Sequence, residues 1–196
     1  ISDRNLKVKQ KDNYHQVNIC GCLRDLPLIK VAPNLKIALF NILGETELVE
    51  KVAKEISKQL PKNTQVVASP EVKGIFLAYE LSRVLKIPYI VIRKSKKPYM
   101  KGCIKAEVLS ITTGKPQNLW IDGKDKKILE GKNVCLVDDV ISTGETLIGL
   151  RKLMKQAKAN IVAETAVFTE GKKDKWPNVI ALGNLPLFNN QNEIIT

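Results

Sequence analysis

Helical and strand-like segments alternate along this chain, which predicts an α/β fold: a doubly wound, mostly parallel sheet with helices on its faces. Three observations carry the expectation. Between Glu45 and Leu60, the residues Leu48, Val49, Val52, Ala53, Ile56 and Leu60 recur at three- and four-residue steps, the pattern of an amphipathic helix. The apolar runs Gln65 to Ala68 and Pro88 to Ile92 flank a helical stretch, Ile75 to Leu85, and so spell a βαβ unit with parallel strands. Asn133 to Val137 followed by a helix over Thr143 to Ala157 starts a second such unit.

The remaining elements follow in order. Gln16 to Cys20 and Lys36 to Phe40 are short strands, and the segment between them is turn-rich and weakly periodic. Thr46 is placed to cap the first helix and Pro61 to stop it. Ala106 to Thr113 and Gln117 to Asp122 suit a hairpin around Gly114, and a charged connector leads to Asn133. Asn160 to Phe168 and Asn178 to Leu182 close the sheet. No repeat or low-complexity segment interrupts the 196 residues, which suit one domain over 1–196.

Composition narrows the function classes. The net charge is +12, from 32 Lys and Arg against 20 Asp and Glu, which favours anionic ligands without specifying a fold. The cations are scattered, with one dense cluster between Arg93 and Lys101. The four cysteines, Cys20, Cys22, Cys103 and Cys135, form no disulfide framework, and Cys-x-Cys with the single His15 is poor material for tetrahedral zinc. A cytoplasmic location is therefore expected, with no membrane span and no signal peptide at the start of the chain as given. His15 lies in a polar stretch, is expected at the surface, and leaves no convincing Ser-His-Asp triad. No G-x-x-x-x-G-K-[ST] sequence occurs, so P-loop nucleotide hydrolysis is excluded.

The richest segment is Val134 to Leu147, VCLVDDVISTGETL. An apolar strand ends in Asp138 and Asp139, and a short loop with one glycine opens a helix. Unpaired N–H groups of that helix start would face an anion, and Ser142, Thr143 and Thr146 add hydroxyl donors. The aspartates can accept from sugar hydroxyls, so the two halves suit a ribose 5-phosphate group. The plainer alternative is a solvated strand end followed by Ser142 and Thr143 as ordinary helix caps.

Two further constellations follow strands, where ligands bind in open α/β sheets. Ser69 to Gly74, SPEVKG, places Lys73 and Gly74 at a helix start; alternatively Glu71 there merely complements the helix dipole. Beyond Ile92 come Arg93, Lys94, Lys96 and Lys97, which repel one another unless an anion neutralises them, although a solvated basic loop is the common fate of such runs.

The Val134 to Leu147 segment closely resembles the phosphoribosyl-pyrophosphate (PRPP) loop of type I phosphoribosyltransferases, and the likeness extends from about Gly21 to Phe188. Adenine- and xanthine-type enzymes are the nearest in pattern. The resemblance implies transfer of ribose 5-phosphate from PRPP to a purine base, adenine-type first, with release of pyrophosphate in purine salvage. It implies catalytic Asp138 and Asp139, a 5-phosphate cradle of Ser142, Thr143, Gly144, Glu145 and Thr146, and pyrophosphate contacts from Glu71, Val72, Lys73, Gly74, Lys94 and Lys97. Mg²⁺ would arrive on PRPP rather than on a dedicated set of protein ligands.

The resemblance further implies a small hood from the chain ends, about 16–35 and 178–196, and a mobile lid over about 95–113. Gly21 to Ile29, GCLRDLPLI, and Ile180 to Phe188, IALGNLPLF, are the matching hood stretches. Base recognition then falls to Arg24, Asp25 and Phe188, with a structural pairing of Arg24 equally compatible with the sequence.

Three positions depart from the family pattern, the first being Lys73, where the matching pyrophosphate loop usually has arginine and lysine keeps the charge but not the bidentate fork. Lids of adenine-type enzymes carry a catalytic glutamate where VLSITTG places Thr112, and family phosphate loops often have glycine where Glu145 stands. Two alternatives to an active enzyme therefore stand: a non-catalytic PRPP-binding regulator of the same fold, and a nucleic-acid binder, for which the charge is the sole support. A homodimer is the expected assembly, and nucleic acid is not an expected partner.

Overall fold

The computed structural model describes residues 13–109 and 116–196. Its centre is a five-stranded parallel sheet in the order β10-β9-β8-β4-β5. These strands are β4 (Val66–Pro70), β5 (Tyr89–Ile92), β8 (Asn133–Ile141), β9 (Asn160–Glu170) and β10 (Val179–Leu185). Helix α2 (Gly74–Leu85) joins β4 to β5, and α4 (Glu145–Gln156) joins β8 to β9. The first connection steps outward on one side and the second on the other. The order therefore reverses between β4 and β8, and their carboxyl ends border the crevice where such sheets bind ligands.

Strand alternation assigns each face. Val66, Ala68, Val134 and Leu136 point into one core with Leu147, Leu150, Leu153 and Met154 of α4. Val67, Cys135 and Val137 point into the other, with Leu77 and Leu81 of α2 and with Leu48, Val52 and Ile56 of α1 (Thr46–Gln59). The β4 and β8 strands are thus apolar on both sides, as parallel strands covered by helices must be. Cys135 is a fully buried core residue, and burial, with the nearby Glu164 charge, pushes its thiol up to about 12.

Above the crevice lies a second, four-stranded sheet in the order β1-β2-β3-β11. It combines β1 (Tyr14–Ile19), β2 (Cys22–Ala32) and β3 (Leu35–Ala38) with β11 (Leu187–Phe188), which pairs antiparallel with β3. Of the carboxyl-terminal hood stretch, only β11 reaches this sheet, because β10 pairs parallel with β9 in the central one. A hairpin of β6 (Ile104–Leu109) and β7 (Pro116–Ile121) packs on α4, followed by α3 (Gly123–Leu129).

Several local expectations need correction. The segment read as turn-rich forms the eleven-residue β2. Pro27 belongs to it because its carbonyl still accepts from Leu39 N–H at 2.9 Å, while Cys22 and Leu26 are buried. The charged connector contains α3, anchored by the buried Leu129. Thr46 does not cap α1; Glu45 occupies the cap position without a side-chain cap bond. His15 lies partly buried in β1, its ring 5.3 Å from that of Phe188, and burial lowers its pKa. The segment 95–113 includes β6, paired to β7, whereas Thr112 and Gly114 lie outside the described residues.

Candidate active site

Three loops meet at the carboxyl ends of β4, β8 and β9. Strand β8 runs through both aspartates to Ile141, so Asp138 and Asp139 sit on a rigid element rather than past its end. Asp138 Oδ1 accepts from the Asp139 backbone N–H at 2.9 Å. Burial, reinforced by the Asp139 charge, holds the Asp138 carboxyl well above the usual aspartate range. Asp139 Oδ2 is buried without a hydrogen bond among the described residues, and Lys73 Nζ faces it at 3.4 Å.

The first loop, at β4, is held from two sides. Glu71 accepts from Lys94 N–H at 2.6 Å and from Arg93 Nη1 at 3.0 Å. Burial works against its charge, but these two donors prevail and hold the carboxyl below its ordinary pKa. Gly74 is required sterically. A Cβ there would collide with the Ser69 hydroxyl and come within 3.3 Å of Asp138 Cα. Glycine thus lets the start of α2 press against β8. Lys73 also donates to the Phe40 carbonyl oxygen at 3.2 Å, and Val72 is exposed.

The second loop, Ser142 to Glu145, opens α4. Gly144 is the cap residue with φ +85°, and no side-chain cap bond is formed, so Ser142 and Thr143 are not ordinary helix caps. The first-turn N–H groups are therefore free of side-chain capping and suited to an anion. Ser142 to Thr146 line a cavity of about 110 Å³ together with Asp138. The Ser142 hydroxyl donates to Glu170 at the end of β9.

A cleft of about 700 Å³ joins these parts. Lys73, Asp139, Ser142 and Thr143 line one side, and the apolar Val31, Ile37 and Leu187 of the hood sheet line the other. Glu170, Lys172 and Lys175 line it as well. Sequence reasoning missed those three, although EGKKDK directly follows an apolar strand, the same position that singled out the other loops.

The remaining predicted residues lie elsewhere. Arg24 is engaged by Glu45, with Nη2 at 2.8 Å, and Asp25 accepts from Gln16 at 2.8 Å; neither lines the cleft. Phe188 is buried against His15, and its neighbour Leu187 forms the wall instead. Lys94 and Lys97 do not line the cleft. Lys94 contributes its backbone to Glu71, and Lys97 Nζ donates to Ser95 Oγ at 2.8 Å.

A match to a known family accompanies this geometry: residues 38–181 correspond to the phosphoribosyl transferase domain family. The chain belongs to that family. Among curated relatives, the hypoxanthine/guanine phosphoribosyltransferase of Methanobacterium paludis is 35% identical over 126 residues, 64% of this chain and 63% of that protein. The purine biosynthesis transcriptional activator PurR of Lactococcus lactis is 27% identical over 143 residues, 72% of this chain and 52% of that protein. The chain thus spans about half the length of that regulator.

Solved structures agree on the fold. The adenine phosphoribosyltransferase of Thermoanaerobacter pseudethanolicus superposes with a TM-score of 0.63 at 21% identity, covering 73% of this chain and 84% of its own. The Saccharomyces cerevisiae enzyme gives 0.62 at 20%, covering 87% and 92%. The phosphoribosyltransferase domain therefore has the type I fold expected from its sequence.

Proposed function

We propose that this phosphoribosyltransferase domain moves ribose 5-phosphate from PRPP to a purine base and releases pyrophosphate. The supporting observation is the cleft that puts Asp139, Lys73 and the phosphate-loop residues Ser142 and Thr143 opposite an apolar wall, with Asp138 and the start of α4 lining a smaller cavity that shares Ser142 and Thr143 with it. The 5-phosphate lies against Ser142 to Thr146, the ribose hydroxyls against Asp138 and Asp139, and the pyrophosphate against Glu71 to Gly74. The flat base occupies the apolar side at Val31, Ile37 and Leu187, in place of Arg24, Asp25 and Phe188.

In this arrangement the bond from the sugar's anomeric carbon to pyrophosphate oxygen breaks. A bond from the same carbon to base nitrogen forms, and the N–H proton of the base passes to an oxygen of the released pyrophosphate. Positive charge develops on the ribose ring as the leaving group departs. The Asp139 carboxylate, fixed on its strand beside the ring, stabilises that charge without having to reorganise, while Asp138 holds a sugar hydroxyl. Lys73, paired with Asp139 at rest, is positioned to turn to the departing pyrophosphate.

Among the described residues, no three His, Cys, Asp or Glu side chains converge to form a metal cage. The oxygen-only donors Asp138 and Asp139 suit Mg²⁺ carried on the substrate's own phosphate and hydroxyl oxygens, as this ion commonly binds. Bound that way, it would neutralise the pyrophosphate charge.

The test is a panel assay of Mg-PRPP with adenine, hypoxanthine, guanine, xanthine and orotate, following pyrophosphate release. Release with one or more purines is the expected result. A second reading, a PRPP-responsive regulator without turnover, has the PurR resemblance in its favour. PRPP binding by calorimetry with no release for any base would establish that second reading and overturn the first.

A further inference from the structure

One segment touches the phosphate loop at three points and has no part in the scheme above. Past the end of β9 at Glu170, the chain turns through Gly171 and a short 3₁₀ turn, Lys173–Lys175, to Trp176. The Glu170 carboxylate accepts the Ser142 hydroxyl. Lys175 Nζ donates to the Ser142 carbonyl oxygen at 2.9 Å. The Trp176 ring covers Gly144 so closely that any side chain at that position would collide with it. Lys175 Nζ also lies 5.1 Å from the centroid of the Trp176 ring, which holds the cation near an aromatic face.

These contacts change the charge arithmetic of the loop. A serine hydroxyl has one proton, and that of Ser142 is given to Glu170, so it is not available to a phosphate. Glu170 is itself buried, and it adds a negative charge beside a site meant for an anion. A phosphate dianion held there needs a compensating cation. Lys175 stands on the same residue that Glu170 holds, lines the same cleft as Thr143, and rests on a neutral carbonyl that it can leave at small cost. Trp176 Nε1 is buried beside the loop with no hydrogen-bond partner among the described residues, a donor still unfilled.

We propose that Glu170 to Trp176 forms the second half of the sugar-phosphate site, with Lys175 as its phosphate-binding cation. Glu170 and Trp176 act as positioning residues: one fixes the Ser142 side chain, the other sets the backbone at Gly144. On binding, Lys175 leaves the Ser142 carbonyl and pairs with the 5-phosphate. The proposal rests on the PRPP reading of the cleft and adds to it a residue outside the Val134 to Leu147 motif.

The test is calorimetry on the full chain with two separate probes, ribose 5-phosphate and pyrophosphate, for the wild type, Lys175→Gln and Lys175→Arg. Lys175 is exposed, so the variants are expected to fold, and thermal melts check that they do. Lys175→Gln is expected to weaken ribose 5-phosphate about tenfold or more while pyrophosphate stays within about twofold, and Lys175→Arg to restore most of the loss. Unchanged ribose 5-phosphate affinity in Lys175→Gln overturns the proposal. So does an equal loss of both ligands, or an Arg variant no better than Gln. A wild-type protein that binds neither probe overturns the PRPP reading itself, which separates that failure from one confined to Lys175.

Discussion

Lys73 Nζ and Asp139 Oδ2 face each other at 3.4 Å across the gap between the carboxyl ends of β4 and β8. A cation brought by one loop thus neutralises a buried carboxylate brought by another before any ligand arrives. Pyrophosphate, the stronger anion, would draw the lysine away and leave Asp139 free to face the ribose.

Lys73→Met separates those two roles. The side chain of Lys73 is 38% exposed, so solvent screens the pair, and its loss should cost less than about 1 kcal/mol in a denaturant melt. Pyrophosphate affinity should fall about tenfold or more in a direct titration, because the charge-assisted contact is gone. A large stability loss with pyrophosphate binding intact would show a purely structural lysine.

Asp138→Asn should show a pH signature. The folded Asp138 carboxyl ionises well above its unfolded counterpart, which titrates near about pH 3.9. Between those two values the folded state binds the extra proton, so wild-type stability falls as pH rises through that window. Asparagine stays neutral and keeps an oxygen for the Asp139 N–H. The melting temperature of the variant relative to wild type should therefore increase with pH from about 4 upward, then level off, while turnover is lost. A difference that does not vary with pH contradicts the burial of that charge.

Glu71→Gln runs the opposite way. Glu71 is held ionised in the fold by the Lys94 N–H and Arg93 against the pull of burial. Its contribution is present above the unfolded glutamate value near about 4.3 and disappears as pH drops through the lower folded value. The variant should lose about 1–2 kcal/mol at neutral pH, with the deficit shrinking on acidification. Urea melts at neutral and acidic pH measure both.

Gly144→Ala should damage the phosphate loop specifically. The position has φ +85°, and the added methyl meets the Trp176 ring. Backbone strain alone costs about 1–2 kcal/mol, and the collision adds to it. Ribose 5-phosphate binding should fall sharply in calorimetry, with pyrophosphate binding less affected. Adding Trp176→Ala should recover part of the stability by removing the clash, but not the part due to φ.

How much of this was legible in the sequence varies by element. The α1 periodicity and the β4–α2–β5 and β8–α4–β9 successions were legible as a parallel sheet covered by helices, because apolar spacing and short connections leave few alternatives, whereas the order of its strands came with the tertiary structure. Strand β2 escaped notice because its buried residues, Cys22 and Leu26, are few and Pro27 and Lys30 read as punctuation. Its extended form depends on partners β1 and β3 on either side, which no local pattern announces. Helix α3 was hidden for a similar reason: only Leu129 of its seven residues is buried.

The site divides along the same line. Sequence alone determined its nucleus: Asp138, Asp139 and the Ser142 to Thr146 loop are contiguous, and their chemistry and order follow from one strand, one turn and one helix start. Tertiary structure alone decided which distant residues complete it. Lys73 reaches Asp139 because β4 and β8 are neighbours. Leu187 replaces Phe188 in the cleft because strands alternate their side chains between faces. Lys175 and Trp176 meet the phosphate loop because β9 runs parallel to β8 and ends at the same edge of the sheet. Short-range physics writes the motif into the chain, whereas contacts made across strand pairing exist only once the sheet has formed.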